Sequence, residues 1–150
     1  MKSPTLRIWV LLVLGFVLML TTHVSAKAPV IPNPVLYFVS SEPYKTGGKE
    51  FIRYRYNVFN KEAFPKELFA AAPALPPCGT NTKASRTWVG IYAQDGKRLN
   101  EFCALGSPND LDSIWFSLDA SAIPPSWIYI ELNDRQTNTK YKSNLADTTN

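Results

Sequence analysis

Few side chains in this chain have types and spacings that could do chemistry. Glu131 and Asp134 sit near one end of a strand-like run. Two carboxylates about 5 to 10 Å apart can hydrolyse a glycosidic bond when one stays protonated and the other ionised. Asp95, Asp110 and Asp112 are loop carboxylates of the kind that gather calcium, but no EF-hand spacing accompanies them and turn chemistry accounts for all three. Cys78 and Cys103 are the only cysteines and His23 is the only histidine.

The position of His23 governs the rest. Residues 1–26 read as a secretory leader: Lys2 and Arg7 give a basic start, an apolar run follows, and Val24-Ser25-Ala26 is a small-residue exit. The run is shorter than the roughly 20 residues a membrane-spanning helix needs, so cleavage after Ala26 is expected rather than a retained anchor. Export to the periplasm or beyond follows, with a mature form that does not span the membrane. That mature chain holds no imidazole. A Ser-His-Asp or Cys-His relay is then excluded, as is a His-ligated metal centre, and neither cofactor nor metal is expected.

Removing Lys2 and Arg7 leaves 14 basic against 12 acidic side chains, scattered along the chain. Nothing resembles the clustered Lys and Arg of a nucleic-acid footprint. In an oxidising compartment Cys78 and Cys103 are expected to pair. The loop they close, roughly 25 residues, corresponds to about 3 to 4 kcal/mol of chain-entropy stabilisation.

The elements that would position these groups are strands. Residues 27–34 form a proline-rich leader, residues 35–144 one domain, and residues 145–150 a polar tail expected to be flexible. Residues 35–40 are β-branched and aromatic, and Pro43 with Gly47-Gly48 marks a turn. Residues 50–60 alternate with period two. Ile52, Tyr54, Tyr56 and Val58 occupy one face; Phe51, Arg53, Arg55, Asn57 and Phe59 occupy the other.

Residues 61–85 make a long loop in which Pro65 can open one helical turn, and Phe64, Leu68 and Phe69 either pack it down or present it for binding. Asp95-Gly96 signals a hairpin between residues 86–94 and 97–104. Further strands are expected over residues 112–118, 126–133 and 139–144. The sum is an all-β sandwich of about seven strands.

Ile123-Pro124-Pro125-Ser126-Trp127-Ile128-Tyr129 resembles the fibronectin type III pattern leading into the penultimate strand, and Trp88 resembles the tryptophan on the third strand of immunoglobulin-like sandwiches. The resemblance covers roughly residues 35–144 and implies that Trp88 and Tyr129 carry fold rather than function. Glu131 and Asn133 depart from it, standing where that pattern has apolar residues. The cysteine placement also differs from the inter-sheet disulfide of immunoglobulin domains. The stretch from Pro76 through Gly106 resembles small exported bacterial proteins, a likeness that implies no activity.

The expected function is a non-catalytic binding or structural module presenting its surface to a protein or polysaccharide of the cell envelope. The candidate binding residues are Phe51, Arg53, Arg55, Phe59, Trp115 and Trp127. Two alternatives stand beside it: a carbohydrate- or peptide-active enzyme using a carboxylate pair, and an edge strand that completes another protein's sheet.

Overall fold

The computed structural model describes residues 30–76, 85–103 and 106–149. Cys78 and the expected leader lie outside them. The period-two run becomes β2 (Lys49–Val58), which pairs antiparallel with β1 (Leu36–Thr46) through Gly47-Gly48. Both glycines have positive φ, 56° and 75°, as a two-residue type I′ hairpin requires. β1 runs past Pro43, where the sequence suggested a turn. It can do so because β1 is an edge strand, and a proline on the edge forfeits no ladder hydrogen bond.

The remaining strands are β3 (Thr87–Ala93), β4 (Arg98–Cys103), β5 (Ile114–Asp119), β6 (Trp127–Asp134), β7 (Thr139–Lys142) and β8 (Ala146–Asp147). They form two antiparallel sheets: β1-β2-β5, and β4-β3-β6-β7 with β8 also on β6. Among the described residues there is no α-helix, and none long and apolar enough to cross a membrane.

The period-two pattern explains the core. Tyr54, Tyr56, Val58, Ile114 and Phe116 of the three-stranded sheet meet Val89, Ile91, Ile128, Ile130 and Leu132 of the five-stranded sheet in one buried cluster. Burying side chains of this size contributes about 1.5 to 3 kcal/mol each before chain entropy is subtracted. Leu68, Phe64 and Phe69 join the cluster from the long loop, where Pro65 precedes a 3₁₀ turn over Lys66–Phe69. The Asp95-Gly96 turn differs from expectation in detail: only Gly96 takes positive φ (88°), and the register slips by one residue between Ile91 and Tyr92. The loop is the three residues Gln94 to Gly96, closed by Ala93 and Lys97 and permitted by the glycine, and the register slip is a separate bulge at Leu99 of β4.

The C-terminal segment is no free tail. Ala146 is buried and pairs with Ile128, and the buried Thr148 donates its hydroxyl to the Pro125 carbonyl. Between β7 and β8 the Ser143 hydroxyl takes over a ladder position, accepting the Ile130 N–H at 2.9 Å.

Asparagine amides bridge both seams between the sheets. At one, Asn144 Oδ1 accepts the Leu36 N–H (2.7 Å) while its Nδ2 donates to the Leu36 carbonyl (2.9 Å), so one side chain stands in for a neighbouring strand. At the other, Asn100 Nδ2 of β4 donates to the Trp115 carbonyl of β5 (2.9 Å). The β1 edge is further interrupted by a bulge at Val39 and by Pro43, which are devices that discourage pairing with foreign strands.

Candidate binding face

The outer face of the three-stranded sheet gathers four of the six candidate binding residues. The register places Tyr44 opposite Phe51, Glu42 opposite Arg53, and Arg55 opposite Trp115. Long side chains reach diagonal neighbours on such a face, and a ladder of rings forms around one guanidinium. Phe51 stacks on Tyr44 with centroids 5.4 Å apart. Arg53 Cζ lies 4.5 Å from the Tyr44 centroid and 4.8 Å from that of Trp115. Trp115 in turn meets Phe102 edge-on at 5.6 Å across the Asn100 seam. The Tyr44 hydroxyl donates to Ser117 Oγ at 3.0 Å, which fixes the ring's tilt.

The two arginines differ in their partners. Arg55 donates from Nε (2.9 Å) and Nη2 (2.7 Å) to Glu42 Oε1. Both side chains are nearly half exposed, so this pair is worth at most about 1 kcal/mol. Arg53 joins none of the ion pairs among the described residues, and its Nε is shut from solvent without any hydrogen-bond partner. Glu42 stands directly opposite Arg53 but reaches diagonally to Arg55 instead.

The other two candidates lie elsewhere. Phe59 is 79% exposed, roughly 20 Å along the strand direction from Arg53, beside Val35 and Tyr37. Trp127 projects from the outer face of the five-stranded sheet, so Trp115 and Trp127 never form one patch. Trp88 and Tyr129 share that outer face too; Val89, Ile91, Ile128, Ile130 and Leu132 fill the core in their place. Tyr129 stacks on Tyr92 at 5.3 Å, beneath Lys142 Nζ at 3.9 Å from its centroid. Gly90 makes room for this arrangement, since a Cβ there would lie 2.6 Å from the Tyr92 ring.

The carboxylates have structural work. Asp134 points into the interior, 2% exposed, and accepts from Arg86 Nε (2.9 Å) and Nη2 (2.7 Å). Chiefly that guanidinium, with help from the Thr137 hydroxyl and the Gln136 N–H, brings its carboxyl down to about 2 against the opposing effect of burial. Glu131 faces outward toward Lys140, three residues and one sheet face away. The pair cannot flank one substrate bond. Asp110 caps the 3₁₀ turn over Pro108–Asp112 in a capping box with Ser107, Asp112 pairs with Lys61, and Asp95 accepts the Lys97 N–H. Among the described residues no three His, Cys, Asp or Glu side chains gather to hold a metal.

A recess of about 470 Å³ opens beside β1, lined by residues including Phe38, Ser41, Ile52, Tyr54, Pro124 and Thr148, with no acidic or basic side chain in its wall. Cys103, at the end of β4, is not a free thiol.

No protein-family model matches the chain, and neither a curated protein nor a solved structure matches it.

Proposed function

We propose that this chain is an exported, non-catalytic binding module, an immunoglobulin-like sandwich stapled by a Cys78–Cys103 disulfide, which docks an envelope protein or glycan on the outer face of its three-stranded sheet. The strand order supports the fold reading. β1-β2-β5 form one antiparallel sheet and β4-β3-β6-β7, with β8 on β6, the other, and two such sheets are what an immunoglobulin-like sandwich needs. The observation that carries the docking reading is Arg53, a guanidinium held between two rings and left without an acid to pair with. Arginine, tryptophan and tyrosine clustered in this way are the residues that dominate binding energy at protein surfaces.

The enzymatic reading has less behind it, since Asp134 is committed to Arg86 and Glu131 points the other way. Pairing of β1 with a foreign strand is opposed by the Asn144 clasp, the bulge at Val39 and Pro43.

The test is capture from envelope and secreted fractions by the wild-type protein, by the Arg53→Glu/Arg55→Glu double variant, and by Lys142→Glu on the other sheet. The expected result is a captured species lost only in the double variant. Equal capture by all three would remove this face from consideration.

A further inference from the structure

Ring geometry and charge on this face narrow the class of ligand, an inference that rests on the docking reading above. Sugars bind aromatic residues by lying flat on an open ring face. Here Phe51 stacks on Tyr44, and Arg53 lies over both the Tyr44 and the Trp115 ring, so ring faces in this ladder are taken up by its own members. The Nη groups of Arg53 make no hydrogen bond to any described residue, and such groups donate paired N–H bonds to a planar oxyanion.

Dense polyanions are disfavoured by the neighbours. A nucleic acid or sulfated polysaccharide needs several free cations in series, whereas on this face Arg55 is neutralised by Glu42 and Lys49, at the far end, stands near Asp119. Asp119, opposite Phe51, adds negative charge to the same face. Arg53 is the cation set among the rings, and a cation so placed fits one acidic side chain with apolar flanks.

We propose that Arg53 is the anchor for a single aspartate or glutamate carboxylate on a partner polypeptide, received between Tyr44 and Trp115. The flanking rings exclude water from the contact, which strengthens a charge-assisted bidentate bond, and Phe51 and Phe102 extend the apolar surround. The buried Nε is the element's cost. An N–H shut away without a partner is tolerated where the guanidinium it belongs to is held ready for a ligand.

The test is two-dimensional NMR on the full-length chain, produced with its leader so that any processing takes place, following the Arg53 Nε–H and the Trp115 indole N–H. The probes are a capped valine–glutamate–valine tripeptide, its glutamine counterpart, galacturonate and inorganic sulfate. The glutamate peptide is expected to shift both signals, with the glutamine peptide and Arg53→Met each weakening binding about tenfold or more. Arg53→Lys, which keeps the charge but loses the planar fork, is expected to fall between, and supplies the reading should the methionine variant lose its dispersed spectrum. Lys142→Gln leaves the affinity unchanged. Absence of a shift at Arg53 and Trp115 overturns the proposal, as does saturation by galacturonate or sulfate at equal or lower concentration. Loss of envelope capture in Arg53→Glu without any response to the glutamate peptide would keep the docking face and discard the carboxylate anchor.

Discussion

Replacing Asp134 by asparagine tests the electrostatics inside the domain quantitatively. Its carboxyl titrates at about 2, against 3.8 unperturbed, because Arg86 holds it with two hydrogen bonds. A drop of nearly two pKa units is worth about 2 kcal/mol at roughly 1.4 kcal/mol per unit. The sign follows from the direction: a depressed carboxyl stabilises the fold above its unfolded value, and that contribution fades as pH falls from about 4 to about 2. Urea unfolding of the wild type and Asp134→Asn at pH 7, 5, 3 and 2 reads it directly. At pH 7 the variant is expected to be less stable by about 2 to 3 kcal/mol, since the Arg86 charge, only 23% exposed, loses its counter-ion. By pH 2 the difference is expected to shrink by most of that amount. A gap that stays constant from pH 7 to pH 2 would refute the assignment of this stability to the ionised carboxyl.

Other perturbations have equally definite expectations. The Tyr56 hydroxyl is buried without a partner, so Tyr56→Phe should leave urea stability unchanged or raise it by up to about 1 kcal/mol; a loss beyond 1 kcal/mol would reveal a partner. Asn144→Ala removes both bonds to Leu36 and is expected to cost about 1 to 3 kcal/mol, with faster hydrogen exchange at the Leu36 amide than at Val89 in the core. Gly90→Ala forces Tyr92 off Tyr129, which near-ultraviolet circular dichroism detects as a change in the tyrosine bands, at a cost of about 1 kcal/mol. Non-reducing peptide mapping of exported protein is expected to recover a Cys78–Cys103 linked peptide, and reduction to lower stability by about 3 kcal/mol.

The strands that bury one face were legible in the chain because alternation and burial coincide there: Tyr54, Tyr56 and Val58 announce β2, and Ile128, Ile130 and Leu132 announce β6. That same alternation already decides the fate of Tyr129. An aliphatic residue on each side of it puts the ring on the outer face of β6, where it stacks on Tyr92. The length of β1 was hidden because Pro43 reads as a breaker until the strand is known to lie on an edge.

The ring ladder around Arg53 was half visible. Phe51, Arg53 and Trp115 stand out in the chain as candidates, but Tyr44 falls inside the turn that Pro43 and Gly47-Gly48 suggest, and Phe102 carries no local mark. Counting outward from Gly47-Gly48 would have found the missing ring, since a two-residue turn pairs Thr46 with Lys49 and so Tyr44 with Phe51. The contact between Trp115 and Phe102 had no such signal. It arises where two sheets meet, and no local pattern encodes which edge strands face each other.

Site-specific photo-crosslinking in the cell that makes the protein gives the most direct measurement of where this domain works. A crosslinker placed at Ser117, opposite Arg53 on the edge strand β5, is expected to yield a defined adduct that disappears with Arg53→Glu. One placed at Lys140, on the opposite face, is expected to yield none. An adduct from Lys140 with silence at Ser117 would contradict the assignment of the three-stranded face as the docking surface.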